Sequence, residues 1–548
     1  MTNEPRRPPI AAWRWHLGLG VGFTALALVM TWPLGAPGAR LLPDMNDAFF
    51  NIWRLSWVAH QLVHQPTALF DANIFYPARH TLAYSDAMLL VGLAAAPFLW
   101  AGVPPAVVHN GLLITALASS AWASAVLAHR LTGDRVAAVL AGVIVGFAPY
   151  RFAHIAHLEL QWLVWMPLAL LALHALVEWP RPAAGLALGA CLAAQLLCSI
   201  YYGVFLALFA GVAWIGLVVA QGLKPRLAVS TAVAAIPLVL VAIPYLAPYA
   251  ASRAEHGPRS AAEIAEHSAR PADYLAVPVF NTVRGREDLT EERALYPGTA
   301  TIGLAMVALV FGRGRVRWMY LALAAFAFDA SLGVHGLTFR ALQAAVPPLA
   351  NLRAAARFAS LTLVALAMLA AIGAADLRAR FTSGAAGAAI LCLAMVLCVV
   401  EFWSRPPLRD GSLRPMLVDR WLATLPEDAV ILELPVPRVE QLWHYETSHQ
   451  VRSIHHWRHL VNGYSGFLPT SYGNTLIAMR TFPDENSIAR LRRLSVDFVV
   501  VRRANFPDDD AYAQTTAPLL ARRDFGAPQV FGAGLDEAAV FALRPQPE

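Results

Sequence analysis

Charge is scarce in this 548-residue chain: 14% of its residues are Asp, Glu, Lys or Arg, where soluble domains carry about a quarter. Lysine is scarcer still. Lys224 is the only one, so the formal net charge of +6 rests on arginine. The four cysteines, Cys191, Cys198, Cys392 and Cys398, all sit in apolar runs, where a small thiol packs as a hydrophobe. They supply neither a disulfide framework nor a metal site. Arg6, Arg7 and Arg14 precede an apolar run from His16 to Trp32. No small-residue cleavage site follows it, so it reads as an uncleaved first span and not a secretory signal. The lack of charge excludes a soluble globular domain, and membrane topology explains the basic excess without nucleic acid.

What the chain has in quantity is hydrophobic residues, 57% of the total, with a mean hydropathy of +0.50. About 30 Å of hydrocarbon takes roughly 20 apolar residues to cross, and short arginine-bearing loops stay in the cytoplasm. These two rules predict eleven spans, near 16–33, 106–129, 137–150, 161–178, 184–200, 203–221, 227–247, 298–312, 317–333, 358–376 and 383–401. Arg130 with Arg135, Arg181, Lys224 with Arg226, the cluster Arg313, Arg315 and Arg317, and Arg378 with Arg380 then all fall on the side of the N-terminus. Ala87 to Trp100 is apolar but short and broken by Pro97. Counting it as a span would invert every later loop, so it reads as an interfacial or re-entrant helix.

The predicted fold is therefore an α-helical polytopic membrane domain over residues 1–401, with long external loops at 33–105 and 248–297. An external α/β domain follows over 402–548. There, "AVILELPVP" and "VDFVVV" read as strands from their β-branched content.

Four external groups hold the polar chemistry. Asp44 and Asp47 stand in "LPDMNDAFFNIWRLSW", either as caps for a surface helix or as working carboxylates. Phe49, Phe50, Trp53 and Trp57 are expected to hold that helix at the membrane interface. In "FDANIFYPARHTLAYSDAML", Asp86 starts the short apolar helix, where its carboxylate can face a cavity; the rest reads as an ordered loop. "APYRFAHIAHLELQW" places Arg151, His154, His157, Glu159 and Gln161 in one tight turn. The i, i+3 spacing of His154 and His157 puts them on one helical face, which allows a divalent metal with Glu159 or a first-loop Asp, or leaves two hydrogen-bonded histidines. The fork of Arg151 suits a phosphate. Asn351, Arg353 and Arg357 form the fourth group, with arginines either snorkelling or holding a lipid or substrate phosphate. The stretch "HHWRHLVNGYSGFLPTSYGN" suits sugar rings or the docking of the C-terminal domain.

The stretches "DAFFNIWRLSW", "FDANIFYPARHTLAYSD", "APYRFAHIAHLELQW", "LRAAARF" and "LVNGYSGFLP", together with the order of spans and loops, resemble the GT-C fold membrane glycosyltransferases. These are the polyprenyl-phosphate-sugar-dependent enzymes of the YfhO-like and protein-mannosyltransferase-like superfamily. The resemblance implies transfer of a sugar from a polyprenyl-phosphate donor to an envelope glycan, lipid or protein acceptor, with inversion. It implies a home in the bacterial cytoplasmic membrane, N-terminus inside and C-terminal domain outside. Asp47 matches the base, with Asp44 as support or alternative. Arg151, Arg353 and Arg357 become phosphate ligands, and His154, His157, Glu159 and Asp86 shape the substrate site. No cofactor is required by the motifs; a divalent metal is the one that the histidines allow. A transporter or flippase, or an inactive relative in envelope assembly, is the rival reading. A transporter needs intramembrane charge, of which Asp329 is the main instance.

Overall fold

A computed structural model of the chain describes residues 9–222, 224–285, 291–346, 349, 352–381, 383–438 and 443–544. Arg6, Arg7 and Asn351 lie outside them. Each of the eleven expected spans falls on a helix: Pro9–Met30, Pro105–Thr132, Arg135–Phe147, Trp165–Glu178, Pro182–Cys198, Ile200–Gln221, Pro225–His256, Thr299–Phe311, Val316–Ser331, Ala359–Arg378 and Gly384–Phe402. Among the described residues, seven helical segments are long and apolar enough to cross a bilayer, while Pro182–Cys198 and Thr299–Phe311 are apolar but shorter. The chain divides into two compact units. One comprises Met1–Ala39, Asn110–Leu246 and Gly257–Pro407; the other comprises Arg40–His109, Ala247–His256 and Leu408–Glu548.

In the first unit the Ala359–Arg378 helix is the axis. It packs against Thr299–Phe311, Val316–Ser331 and Arg135–Phe147, and Ala359 to Ala374 are buried almost without a break. Gly373 makes this closeness possible, since a Cβ there would collide with the Leu304 carbonyl. The long Pro225–His256 helix lies at the rim instead, with Val229, Ile236, Leu240 and Ile243 exposed, as side chains facing lipid would be.

Ion pairs show which loops share an end. Arg378 Nη1 meets Asp134 Oδ2 at 2.6 Å, and Arg130 pairs with Glu178, joining three of the loops expected in the cytoplasm. Asp134 also caps its own helix, accepting Val136 N and Ala137 N at 2.8 and 2.9 Å. Residues of three loops expected outside, around His154, Glu292 and Arg357, are joined in the same way. The alternation read from arginine placement therefore recurs in the contacts.

The second unit contains two helices from the first long loop, Asp47–His64 and Leu89–Trp100. The latter has 12 residues, about 18 Å at 1.5 Å per residue, too short to span. It buries Val91, Gly92, Ala95 and Ala96 and exposes Leu93, Phe98 and Trp100. Gly92 lies directly on Val58 of the longer helix, where an added Cβ would come within 2.7 Å of the Val58 side chain. One face of this short helix is thus covered by protein and the other is open.

Seven strands complete this unit: β1 (Leu41–Leu42), β2 (Arg409–Asp410), β3 (Val430–Leu434), β4 (His459–Leu460), β5 (Phe498–Arg502), β6 (Gln529–Phe531) and β7 (Ala538–Ala542). β1 pairs with β2, and the others form one sheet in the order β4-β3-β5-β7-β6. β3 runs parallel to β4 and β5, while β7 is antiparallel to β5 and β6. Its core gathers Val418, Leu422, Ile431, Leu460, Val500 and Val540. The segment around Asn73 extends the sheet edge: Leu460 N donates to Asn73 O at 2.7 Å, and Tyr76 N donates to Leu460 O at 2.9 Å.

Candidate active site

The start of the Asp47–His64 helix explains the two carboxylates of the first loop. Asp44 Oδ2 accepts Asn46 N at 2.9 Å and Asp47 N at 2.7 Å, so Asp44 ties down free N–H groups where the helix begins. Asp47 is the first residue of that helix, where the positive end of the macrodipole favours a carboxylate. Both aspartates are half-buried. Thr447 Oγ1, from the Trp443–Arg452 helix, reaches Asn46 Oδ1 at 3.4 Å, so the C-terminal segment borders this site.

The aromatic residues after Asp47 pack against protein. Phe49, Phe50, Trp53 and Trp57 are all buried. Phe50 meets Tyr464 edge to face at 5.3 Å and Trp57 meets Trp457 at 5.6 Å, while Trp53 Nε1 donates to Asn73 Oδ1 at 3.2 Å. Their spacing makes one stripe along the helix, and what covers the stripe is protein. The "HHWRHLVNGYSGF" stretch thus serves as its docking partner within the same unit. Asp86 is buried too; its carbonyl accepts Arg54 Nη1 at 2.6 Å, and the Arg54 guanidinium lies 4.2 Å over the Phe50 ring.

The first unit carries the arginines and histidines expected to meet a substrate. Pro149 opens a five-residue helix, Pro149–Ala153, a position that proline's missing N–H suits. Gln161 closes the turn behind it, donating to Arg151 O at 3.1 Å and His154 O at 2.5 Å, while Arg151 Nη2 donates to Gln161 O at 2.6 Å. The helix ends before His154, so the i, i+3 face expected for the two histidines does not form. Their rings are 5.5 Å apart and turn to different carboxylates: His154 Nε2 is 3.1 Å from Glu292 Oε2, His157 Nδ1 4.0 Å from Glu291 Oε2. Among the described residues no three His, Cys, Asp or Glu side chains gather as metal ligands. Glu159 is buried in the next turn.

Arg357 is the centre of this cluster. Its Nε and Nη2 reach Glu292 Oε1 at 3.0 and 2.5 Å, and its guanidinium lies 4.7 Å over the Tyr201 ring. Burial pushes the Glu292 carboxyl up, but Arg357, and after it His154, outweigh burial and hold it well below the usual carboxylate range. Tyr150 and Tyr202 share a hydrogen bond of 3.2 Å, and the Tyr150 ring lies 4.4 Å from that of His154. Beside them Arg151 is 1% exposed, with no partner for its Nε or Nη1 among the described residues. Arg353 is more open: its Nη1 and Arg259 Nη1 both take Glu263 Oε1, at 3.2 and 3.0 Å.

The structure thus brings Arg151, His154 and Arg357 into one network and adds residues that the sequence did not single out: Glu292, Glu263, Tyr150, Tyr201 and Tyr202. Glu292 and Glu263 sit in the second long loop, where no motif marks them. Asp329 has a local task. Its carboxylate accepts Leu337 N, Thr338 N and Thr338 Oγ1 at 2.7 to 3.1 Å, holding a turn at the end of its helix. A transporter would need it to line a path across the bilayer.

No family model and no curated protein matches the sequence. Solved structures do match. The arabinofuranosyltransferase AftD from Mycobacteria aligns over 96% of this chain with a TM-score of 0.64 at 15% identity, and the match covers 40% of that enzyme. The oligosaccharyltransferase of Archaeoglobus fulgidus aligns over 93% of this chain and 71% of its own, with a TM-score of 0.48 at 13% identity. ArnT from Cupriavidus metallidurans aligns over 97% and 99%, with a TM-score of 0.38 at 14% identity. The first of these carries the fold; the other two score too low to add to it.

Proposed function

From the premise that this multi-pass membrane protein has the GT-C fold, we propose that it is a glycosyltransferase using a polyprenyl-phosphate sugar. The acceptor is a glycan, lipid or protein of the envelope. The observation that carries the reading is the pairing of this fold with a buried guanidinium network. Arg151 and Arg357 are buried, Arg357 pairs with Glu292, and the more open Arg353 shares Glu263 with Arg259; guanidinium groups so placed suit an anionic substrate.

In this mechanism the acceptor hydroxyl oxygen attacks the anomeric carbon and the bond from that carbon to the lipid phosphate oxygen breaks. The electron pair stays on the phosphate, and Asp47 takes the hydroxyl proton. One carboxylate acting as base, with no second as nucleophile, inverts the anomeric centre. Within the first unit, Arg357 and Arg151 are the groups suited to a phosphate, an interaction strongest where water is excluded. Arg353 supports them from a more open position. His154, His157, Glu159 and Asp86 shape the surroundings.

A positioned general base contributes about 10²- to 10⁴-fold. Asp47→Asn is therefore expected to lower sugar transfer from polyprenyl-phosphate donors in membranes by that factor at unchanged expression. Undiminished transfer rejects Asp47 as the base.

A further inference from the structure

Glu292 occupies the place where an anionic ligand would bind. Its Oε1 takes two nitrogens of the Arg357 fork and its Oε2 takes His154 Nε2. An oxyanion held by a guanidinium fork on one side and an imidazole on the other is an arrangement that a phosphate can also occupy. Beside it the network has donors that the carboxylate leaves unused: Arg151 is buried, with two guanidinium nitrogens unpartnered among the described residues, and the adjacent Tyr150 lies with its ring 4.4 Å from that of His154 and its hydroxyl 3.2 Å from that of Tyr202. Buried N–H groups without acceptors are costly, and a tetrahedral anion brings more oxygens than Glu292 supplies.

The carboxylate is also seated so that it can leave. Its side chain keeps 15% exposure, and the neighbouring Arg293 holds the chain in place, donating to both oxygens of Asp273 at 2.8 Å. Rotation of the Glu292 side chain alone would free Arg357 and His154.

We propose that Glu292 is an internal counter-anion that keeps a phosphate subsite closed, and that a phosphoryl group opens the subsite by displacing this carboxylate from Arg357 and His154. The identity of that group as a lipid-linked phosphate rests on the glycosyltransferase reading; the displacement does not. A site closed most of the time binds more weakly, in proportion to the fraction open.

Binding of a polyprenyl monophosphate to the full chain in nanodiscs, and separately of inorganic phosphate, tests the proposal. Glu292→Gln keeps the side-chain size and removes the charge; it is expected to bind about 10-fold tighter than the wild type. A gain for the lipid alone assigns the subsite to a lipid headgroup, and a gain for both assigns it to phosphate as such. No gain for either overturns the proposal. If Glu292→Gln does not fold, Glu292→Asp decides: its shorter arm cannot hold both partners, so about 3-fold tighter binding is expected, and unchanged binding overturns the proposal. Glu292→Gln combined with Arg357→Gln is expected to lose the gain; a retained gain also overturns it. Sugar transfer is a separate readout. Tighter binding without transfer in the wild type sinks the glycosyltransferase reading alone, while transfer without the gain sinks the displacement alone.

Discussion

Asp44 and Asp47 stand three residues apart, and their surroundings give them different work. Asp44 spends its carboxylate on two backbone N–H groups, while Asp47 begins the helix those bonds anchor. Losing those two bonds at the helix start is expected to cost about 0.5–2 kcal/mol, the range for side-chain caps of helix N-termini. Asp44→Ala is therefore expected to lower the thermal midpoint modestly and to keep sugar transfer within a few-fold of wild type. Collapse of transfer at unchanged stability would move the base to Asp44. Asp47 was singled out because a carboxylate before "FFNIW" resembles the family pattern, and its role as base stays a proposal. Glu292 was not, because its meaning depends on Arg357, 65 positions away, and an acid in a charged loop otherwise reads as solvated. Arg151 lies between these cases: its type suggested a phosphate, and only its burial shows how few partners it has.

At the scale of elements, β3 was legible as a strand, while its one charged residue had no visible purpose. β3 is buried over its whole length, so Glu433 needs partners: Arg502 Nε and Nη2 reach it at 2.7 and 2.8 Å, and His449 Nδ1 at 3.0 Å. His449 Nε2 faces the Pro435 carbonyl at 3.1 Å. Both ring nitrogens thus meet acceptors, which favours the imidazolium. Burial pushes the His449 pKa down, but the bond to and charge of Glu433, then Glu446 and the Pro435 carbonyl, carry it above its usual value. A raised histidine stabilises the fold fully below the unfolded value, about 6.5, and this contribution is lost as pH rises through the folded value. The unfolding midpoint is thus expected to fall as pH rises above about 7, and His449→Gln to flatten that slope. An equal slope in the variant would exclude His449 as its source. Glu446 does not interfere in that range. Burial pushes its carboxyl from 4.5 to about 6, so the fold loses its contribution as pH rises between those values and it is complete before the scan begins.

Across the whole molecule, the arrangement of loops at the membrane follows from two local properties, the length of each apolar run and the side on which arginines gather. Asn73 Nδ2 donates to the Arg458 carbonyl at 3.1 Å across 385 positions, which requires the first long loop and the C-terminal region to lie on one side of the bilayer. A topology reporter fused after Gly102 is expected to read extracytoplasmic; a cytoplasmic reading would make Leu89–Trp100 a span and invert the later loops. By itself the sequence determined the helices, the loops that share an end, and the residue types that meet a phosphate or a sugar, because the bilayer and side-chain chemistry act on each segment where it stands. The tertiary structure alone decided that the aromatic stripe after Asp47 faces protein, that His154 and His157 part company, and that Glu292 rests on Arg357. Those outcomes depend on where distant helix ends meet in space, and hydrophobic periodicity does not encode that.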